Sequence, residues 1–394
     1  MKEKLKIAIY SGTIPSATFI ENLIKGVSKR HQVCLFGKLN KQPKYISDAI
    51  KIYPQYPNSI ISFFVTLSRS IVLVLQYPKR FIILKDHLYS ISGWRKKYHW
   101  WSRYVPVILN LPDIFHLQWA KDIENWFFLK EKLDVKFFVS LRGAHINYSP
   151  IVDSELAEVY RHYFPLVDGF HAVSEAISRE AQKYGAPPRR IHKIYSLVPQ
   201  AALMLYSKPI DIQYKTINII SVGRHHWKKG YSTALDACKI LKDKGFSFKY
   251  TIVASGEVSE QLLFQRHQLG LDSEIDFKKG LPQEKLFKAI KKSDVLLLPS
   301  LEEGIANVVL EAMAVGVPVI SSDCGGMKEV VKHEETAWLF PVFAERKLAD
   351  LIINFLETPI EVKQLISKTG NTFIRKHFDT NRTLDRFYRL YVNP

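Results

Sequence analysis

The hydrophobic positions of this chain fall mostly into short unbroken runs set between stretches of helical period. "KIAIYSG", "QVCLFG", "DIFHLQWA", "KFFVSLRG" and "GFHAVS" form one series; "INIISVGR", "KYTIVASG", "SDVLLLPS" and "PVISSD" form a second. A strand with one wet face alternates apolar and polar residues. These runs show little alternation, so they read as strands buried on both faces. Interleaved with helices, such strands are the βαβ signature of parallel sheets. Between the two series, residues 194–216 carry Pro199 and Pro209 and no clear period, which reads as a linker. The pattern predicts two α/β domains, residues 1–198 and 210–377, with a cleft between them. Ligands of open α/β sheets bind beyond the carboxyl ends of the strands, so the loops after strands are where chemistry belongs.

Residues 59–104 break the pattern. "SIISFFVTLSRSIVLVLQYP" approaches the length of a membrane span, but Arg69 sits at its middle and would cost about 2.5–3.5 kcal/mol there, so it is not read as a span. In the following 79–104, Lys79, Arg80, Lys85, Arg95, Lys96, Lys97 and Arg103 alternate with Trp94, Trp100, Trp101 and Tyr104. That mixture suits an anionic membrane interface; a helical insertion with a merely solvated charged face fits equally.

The length of 394 residues matches two cores, and 47% hydrophobic with 24% charged residues is a globular composition. A net charge of +18 calls for an anionic partner: nucleic acid, acidic lipid or a phosphorylated small molecule. Cys34, Cys238 and Cys324 have neither disulfide-framework nor zinc spacing, and "MKEKLKIAIYSG" has too short an apolar run for a signal peptide. The expected location is the cytoplasm.

Two loops carry candidate chemistry. In "SVGRHHWKKGYSTALDA", a strand gives way at Gly223 to a loop with Arg224, Lys228 and Lys229 before a helix near Tyr231. Cations after a buried strand and beside a helix N-terminus can hold a diphosphate. The neighbouring His225 and His226 read as loop surface, since no third metal ligand has a recognisable spacing. In "PSLEEGIANVVLEAMAVGVPVISSDCGG", Glu303 precedes a bend at Gly304 and Glu311 lies inside the helix that follows, closed by Gly316 with Pro318 beyond. The amides of the first turn, near Ile305 to Val308, are free to face an anion, while carboxylates accept hydrogen bonds from vicinal hydroxyls. Sugars and phosphates together are the matching ligand.

These two loops, with "HAVSEAISREAQKYG" and "TIPSATFIENLIKGVSKRHQVCLFG", resemble the family 4 retaining glycosyltransferases of GT-B fold, most strongly in the C-terminal half. The resemblance implies two Rossmann-like domains with parallel sheets facing a central cleft, and a C-terminal helix 378–394 that packs back on the first. It implies that Arg224 and Lys229 bind the donor diphosphate, Glu303 the transferred sugar, and Glu311 the ribose. Amides around Ile305, Ala306 and Asn307 would complete the phosphate site, Gly12 and Thr13 would close over it, and Leu281 would approach the base. It further implies a nucleotide-diphosphate sugar as co-substrate, no metal, and a saccharide or lipid-linked oligosaccharide as acceptor.

The chain also departs from that family. In "VSLRGAH", Arg142 stands where many members have histidine and His145 where aspartate is frequent; Ala17 and Ala306 replace residues often seen as glutamate and glycine. An arginine of ordinary pKa, above about 12, is no general base, so the expected role of Arg142 is electrostatic. His116, after a strand, is a candidate for the acceptor side. The alternatives are a sugar-nucleotide epimerase of similar fold and a nucleic-acid-binding protein, for which no recognition helix or base-stacking motif is found. No GxGxxG follows the first strand, which disfavours a dehydrogenase.

Overall fold

The computed structural model describes residues 4–43, 45–208 and 216–392. Pro209 and the start of the expected second domain, 210–215, lie outside the described residues, as do 1–3, 44, 393 and 394. The expected linker is not featureless, since Gln200–Met204 forms a short helix within it.

Two compact units emerge. The first takes in the residues up to Ala172, Ser178–Ile194 and those from Leu384 onward; the second takes in Val173–Ile177 and Tyr195–Thr383. In the first, β1 (Lys6–Tyr10), β2 (Gly12–Ile14), β3 (Gln32–Leu39), β4 (Ile50–Gln55), β5 (Ile114–Leu117), β6 (Lys136–Leu141), β7 (Gly169–Ala172) and β8 (Ile191–Lys193) make one sheet of order 2-3-1-5-6-7-8, with β4 also on β3. Every pairing in it is parallel. Helix α1 (Thr18–Val27) buries Ile20, Leu23, Ile24 and Val27, the stripe of a helix lying on a sheet.

The same core takes side chains from the far end of the chain. Phe387, Leu390 and Tyr391 of the helix Thr380–Val392 join Ile7, Ile24 and Val33 in one buried cluster. The Tyr388 hydroxyl donates to the Gly26 carbonyl at 2.8 Å, and Arg30 pairs with Asp385 at 3.0 Å.

The second unit has the parallel order β11 (Ile275–Lys279), β10 (Ser247–Ser255), β9 (Thr216–Arg224), β12 (Val295–Leu298), β13 (Val319–Ser322), β14 (Trp338–Phe340). Its strands show why the runs are unbroken. Ile219 and Leu297 point into a cluster with Ala234, Leu235 and Ile352, while Ile220 and Leu296 point into another with Val309 and Met313. Alternate positions meet helices on opposite faces, so both must be apolar.

Residues 59–104 fold as three helices in the first unit: α2 (Ser59–Gln76), α3 (Pro78–Tyr89) and α4 (Trp94–Leu109). The grouping of all the aromatic residues of 79–104 at a membrane interface is corrected here. Trp94 is exposed, but Tyr104 is buried, stacks with Trp100 at 5.2 Å and donates to the Asn125 carbonyl. Helical winding sends these residues to different sides of α4.

The helix Asn307–Val315 ends at Gly316, whose φ of 93° puts it in the left-handed region. A Cβ there would lie 2.2 Å from the Ser207 carbonyl oxygen. Gly316→Ala is therefore expected to destabilise the second unit by more than the roughly 1 kcal/mol of left-handed strain alone, read as a lowered midpoint in urea unfolding.

Candidate active site in the second unit

The carboxyl ends of neighbouring strands bring the predicted loops together. Register pairs Arg224 of β9 with Ser255 of β10, and Ala254 with Lys279 of β11, just before Gly280 and Leu281. On the other side of β9, β12 ends at Leu298 and leads into the loop of Ser300 and Glu303. Arg224 and Leu281 are exposed at this edge.

Glu303 is buried and ion-paired: Lys229 Nζ donates to its Oε1 at 2.6 Å, and the Ser300 hydroxyl donates to the same oxygen at 3.0 Å. Burial alone would push this carboxyl up, but the charges of Lys229 and then Lys228 outweigh it and hold the group below its ordinary value. The turn Trp227–Lys229 is fastened to the glutamate loop by the Leu301 amide, which donates to the Lys228 carbonyl at 2.7 Å. Lys228 itself is buried, and that burial lowers its pKa against the pull of Glu303. The lysine stem passes over Gly223, where a Cβ would be 3.1 Å from Lys229 Cε. Beneath Glu303 the chain turns at Gly325, φ 51°, where a Cβ would stand 1.8 Å from the Glu303 carbonyl oxygen.

The helix Asn307–Val315 is apolar on almost every side, with Asn307 and Glu311 as its only polar residues. Four positions apart, they share one face. The Asn307 Oδ1 is buried without a hydrogen-bond partner. Burial alone raises the Glu311 carboxyl to about 7, with no neighbouring charge to offset it. One unsatisfied acceptor, Asn307 Oδ1, and the part-buried Glu311 carboxyl therefore stand one turn apart near a helix N-terminus, where the amides of Asn307 and Val308 have no acceptor within the helix. The arrangement suits a ligand that brings both hydroxyl donors and an anion. One expectation is corrected: the Ala306 amide is already engaged, donating to Met327 Sδ at 3.4 Å, so the anion-facing donors begin at Asn307. Gly304 and Ile305 are buried in the bend beneath.

The remaining predicted residues lie in the first unit. Gly12 and His145 line one cavity of about 360 Å³ with Trp100, Arg103, Trp119 and Lys121; Thr13 is exposed beside it in sequence. His116, expected on the acceptor side, is instead wholly enclosed. Its Nδ1 meets the Tyr391 hydroxyl at 2.7 Å and its Nε2 the Ser140 hydroxyl at 2.9 Å, and burial followed by the Arg142 charge lowers its pKa to about 3. Inward-facing β5 carries it into the core, so it acts as a neutral structural link. Arg142 is held by Gln118 Oε1 at 2.9 Å and lies 4.7 Å over the Phe19 ring. Burial pulls its pKa down to about 9, below the ordinary arginine value but still cationic at neutral pH. The cavity residues Trp119 and Lys121 were not singled out from sequence, and nothing in their spacing marks them. Among the described residues no group of three or more His, Cys, Asp or Glu could hold a metal. His226 Nδ1 instead accepts from the Lys228 amide at 3.4 Å. All three cysteines are free and buried.

Residues 206–372 match the family model of glycosyl transferases group 1. Among characterised and putative proteins, the chain is 28% identical over 262 residues to the amylovoran biosynthesis glycosyltransferase AmsK of Erwinia amylovora, covering 64% of each chain. It is 30% identical over 252 residues to the putative colanic acid biosynthesis glycosyltransferase WcaL of Escherichia coli, covering 61% of this chain and 62% of that one. The matched stretch thus spans somewhat under two thirds of these relatives. Among solved structures, HepE of Anabaena in complex with UDP and glucose is similar with a TM-score of 0.70 at 17% identity, over 99% of this chain and 100% of that one. Sucrose-phosphate synthase of Thermosynechococcus elongatus gives 0.74 at 17% identity, over 99% and 98%. The fold is GT-B, built of two Rossmann-like α/β units.

A carboxyl whose folded pKa lies above its unfolded value of 4.5 weakens the fold as pH rises from about 4.5, and the loss is complete above about 7. Glu311→Gln should therefore stabilise the ligand-free protein at pH 8, by about 1–3 kcal/mol, and have little effect at pH 4. Thermal unfolding of both proteins at the two pH values measures this. Lys229→Met should do the reverse. With its buried partner charge stranded, stability at pH 8 should fall by about 3–5 kcal/mol, and much of the loss should vanish on acidification.

Proposed function

We propose that this protein is a glycosyltransferase that moves a hexosyl unit from a UDP- or GDP-linked sugar to a hydroxyl of a saccharide acceptor. The observation that carries the reading is the pairing of Lys229 with Glu303 on the loop that leads into the helix of Asn307, whose Oδ1 has no partner, and of Glu311, whose carboxyl burial raises to about 7. One edge of one sheet offers cations for a diphosphate and carboxylates for sugar hydroxyls. The match to glycosyl transferases group 1 and the UDP-bound neighbour support it. An epimerase finds no comparable support.

In this reading the bond from the anomeric carbon to the diphosphate breaks and a bond to the acceptor oxygen forms, with retention of configuration. Arg224, Lys229 and the amides of Asn307 and Val308 bind the departing diphosphate. The lysine has three donors and can keep Glu303 while taking a phosphate oxygen. Glu303 accepts from sugar hydroxyls and Glu311 from the ribose, whose hydroxyl donors offset the burial of its carboxyl. The diphosphate takes up the acceptor proton, so no metal and no protein nucleophile is required. Arg142 contributes fixed positive charge. The setting is the cytoplasmic face of a membrane and the assembly of a cell-surface polysaccharide, consistent with the polymers for which the relatives are named.

Thermal stabilisation by a panel of nucleotides and nucleotide sugars tests this. One nucleotide family should raise the melting temperature, and Arg224→Ala and Glu311→Ala should each abolish most of the rise. A flat response to every nucleotide at millimolar concentration would remove the donor site from the reading.

A further inference from the structure

Helix α2 keeps most of its apolar residues outward. Its inward face carries Leu73 with Thr66 and Ser70, all buried, the two hydroxyls donating to the Ser62 and Thr66 carbonyls. Arg69 on the same side donates to the Pro54 carbonyl at 3.1 Å. The outward side carries Ile60, Phe64, Ile71 and Leu75, at 67, 63, 53 and 76% exposure. Only about a sixth of this helix is buried, and its mean hydropathy of 1.7 with 18 residues meets the length and composition of a membrane span. An exposed apolar face of this extent marks an interaction surface.

Between α2, α3 and α4 runs an open groove of about 740 Å³, walled by Leu67, Val74, Phe81, Leu88 and Trp101 among others. Almost all of its surface is apolar, and its two charged residues are both cations, Lys85 and Lys97. Neither has a carboxylate partner among the described residues. Helix α4 lies between this groove and a polar cavity. Lys97, Tyr98 and Trp101 line the groove, whereas Trp100 and Arg103 line the cavity of about 360 Å³ with Trp119, Lys121 and Gly12. Residues three apart on a helix are roughly 5–6 Å apart, so the two spaces flank one helix.

We propose that the groove holds the hydrocarbon chain of a lipid phosphate, with Lys85 and Lys97 on the phosphate and the saccharide borne by that lipid in the cavity across α4. The inference rests on the transferase reading, whose acceptor it specifies. Charge chooses the occupant. A second copy of the chain would set one basic groove against another, whereas a lipid phosphate matches both the apolar wall and the two lysines. An ordinary membrane lipid would leave the tryptophan-lined cavity unexplained.

Calorimetric titration of the full chain with farnesyl phosphate, with farnesol, and with vesicles of phosphatidylglycerol and phosphatidylcholine tests the assignment. Farnesyl phosphate should bind as a monomer and farnesol about tenfold or more weakly. Val74→Glu, at a partly exposed position that a glutamate can occupy without unfolding the helix, should abolish binding. Lys85→Ala with Lys97→Ala should reduce the phosphate's advantage over the alcohol to near unity. Phe264→Glu, an exposed apolar position of the second unit, should change nothing. Binding to vesicles without binding to farnesyl phosphate would overturn the groove in favour of a bilayer surface. Self-association that Val74→Glu dissolves, without lipid binding, would overturn it in favour of a second copy. Nucleotide stabilisation measured on the same protein separates the two proposals: lipid binding without a nucleotide response keeps the lipid site but sinks the transferase reading and with it the acceptor role, whereas a nucleotide response without lipid binding sinks the groove alone.

Discussion

A carboxylate buried at the end of a parallel strand must have a cation within reach, and in the second unit that requirement organises the surroundings. Glu303 cannot be enclosed without Lys229, and Lys229 reaches it because the turn Trp227–Lys229 is tied to the Leu301 amide. The stem of the lysine needs the bare α-carbon of Gly223, and the glutamate backbone needs that of Gly325. Loops from two strands thereby become one rigid edge. Arg224 is left exposed at that edge, and the charge that a ligand would meet is set before any ligand arrives.

Glu311 works under the opposite condition. It sits on an otherwise apolar helix with no cation to offset burial. The two glutamates thus divide the electrostatics: one ionised and braced, the other raised by burial to about 7, so that its charged and neutral forms coexist near physiological pH. Asn307, whose Oδ1 has no partner, belongs with the second. Burying an unpartnered oxygen and a carboxyl without a cation costs stability, a common signature of a binding surface.

The strands were legible because burial on both faces leaves unbroken apolar runs, as Ile219 with Ile220 and Leu296 with Leu297 illustrate. The placing of Glu303, Arg224 and Lys229 on loops at the carboxyl ends of neighbouring strands, with Glu311 in the helix that follows, was legible because glycines mark the ends of such strands. His116 was misread because a buried histidine and a ligand-facing one look alike until the pleat is known; here Tyr391 and Ser140 take both its nitrogens. The Ala306 amide was misread because its acceptor, Met327, lies in a different loop. Helix α2 was hard to read for a related reason. Its polar residues share a face, as in any amphipathic helix, and only the packing tells which face is inward.

The long return of the chain to its own beginning has a consequence for biosynthesis. Gly26 and Tyr388 are 362 positions apart, yet one hydrogen bond joins them. Phe387, Leu390 and Tyr391 fill the same core as Ile7 and Val33. A ribosome adding roughly 5–20 residues per second needs tens of seconds to travel that distance. Through that interval the nascent first sheet waits with part of its apolar face uncovered, while the second unit is translated almost whole. The helix Thr380–Val392 thus supplies the closing side chains of a core that is begun by residues made hundreds of positions earlier.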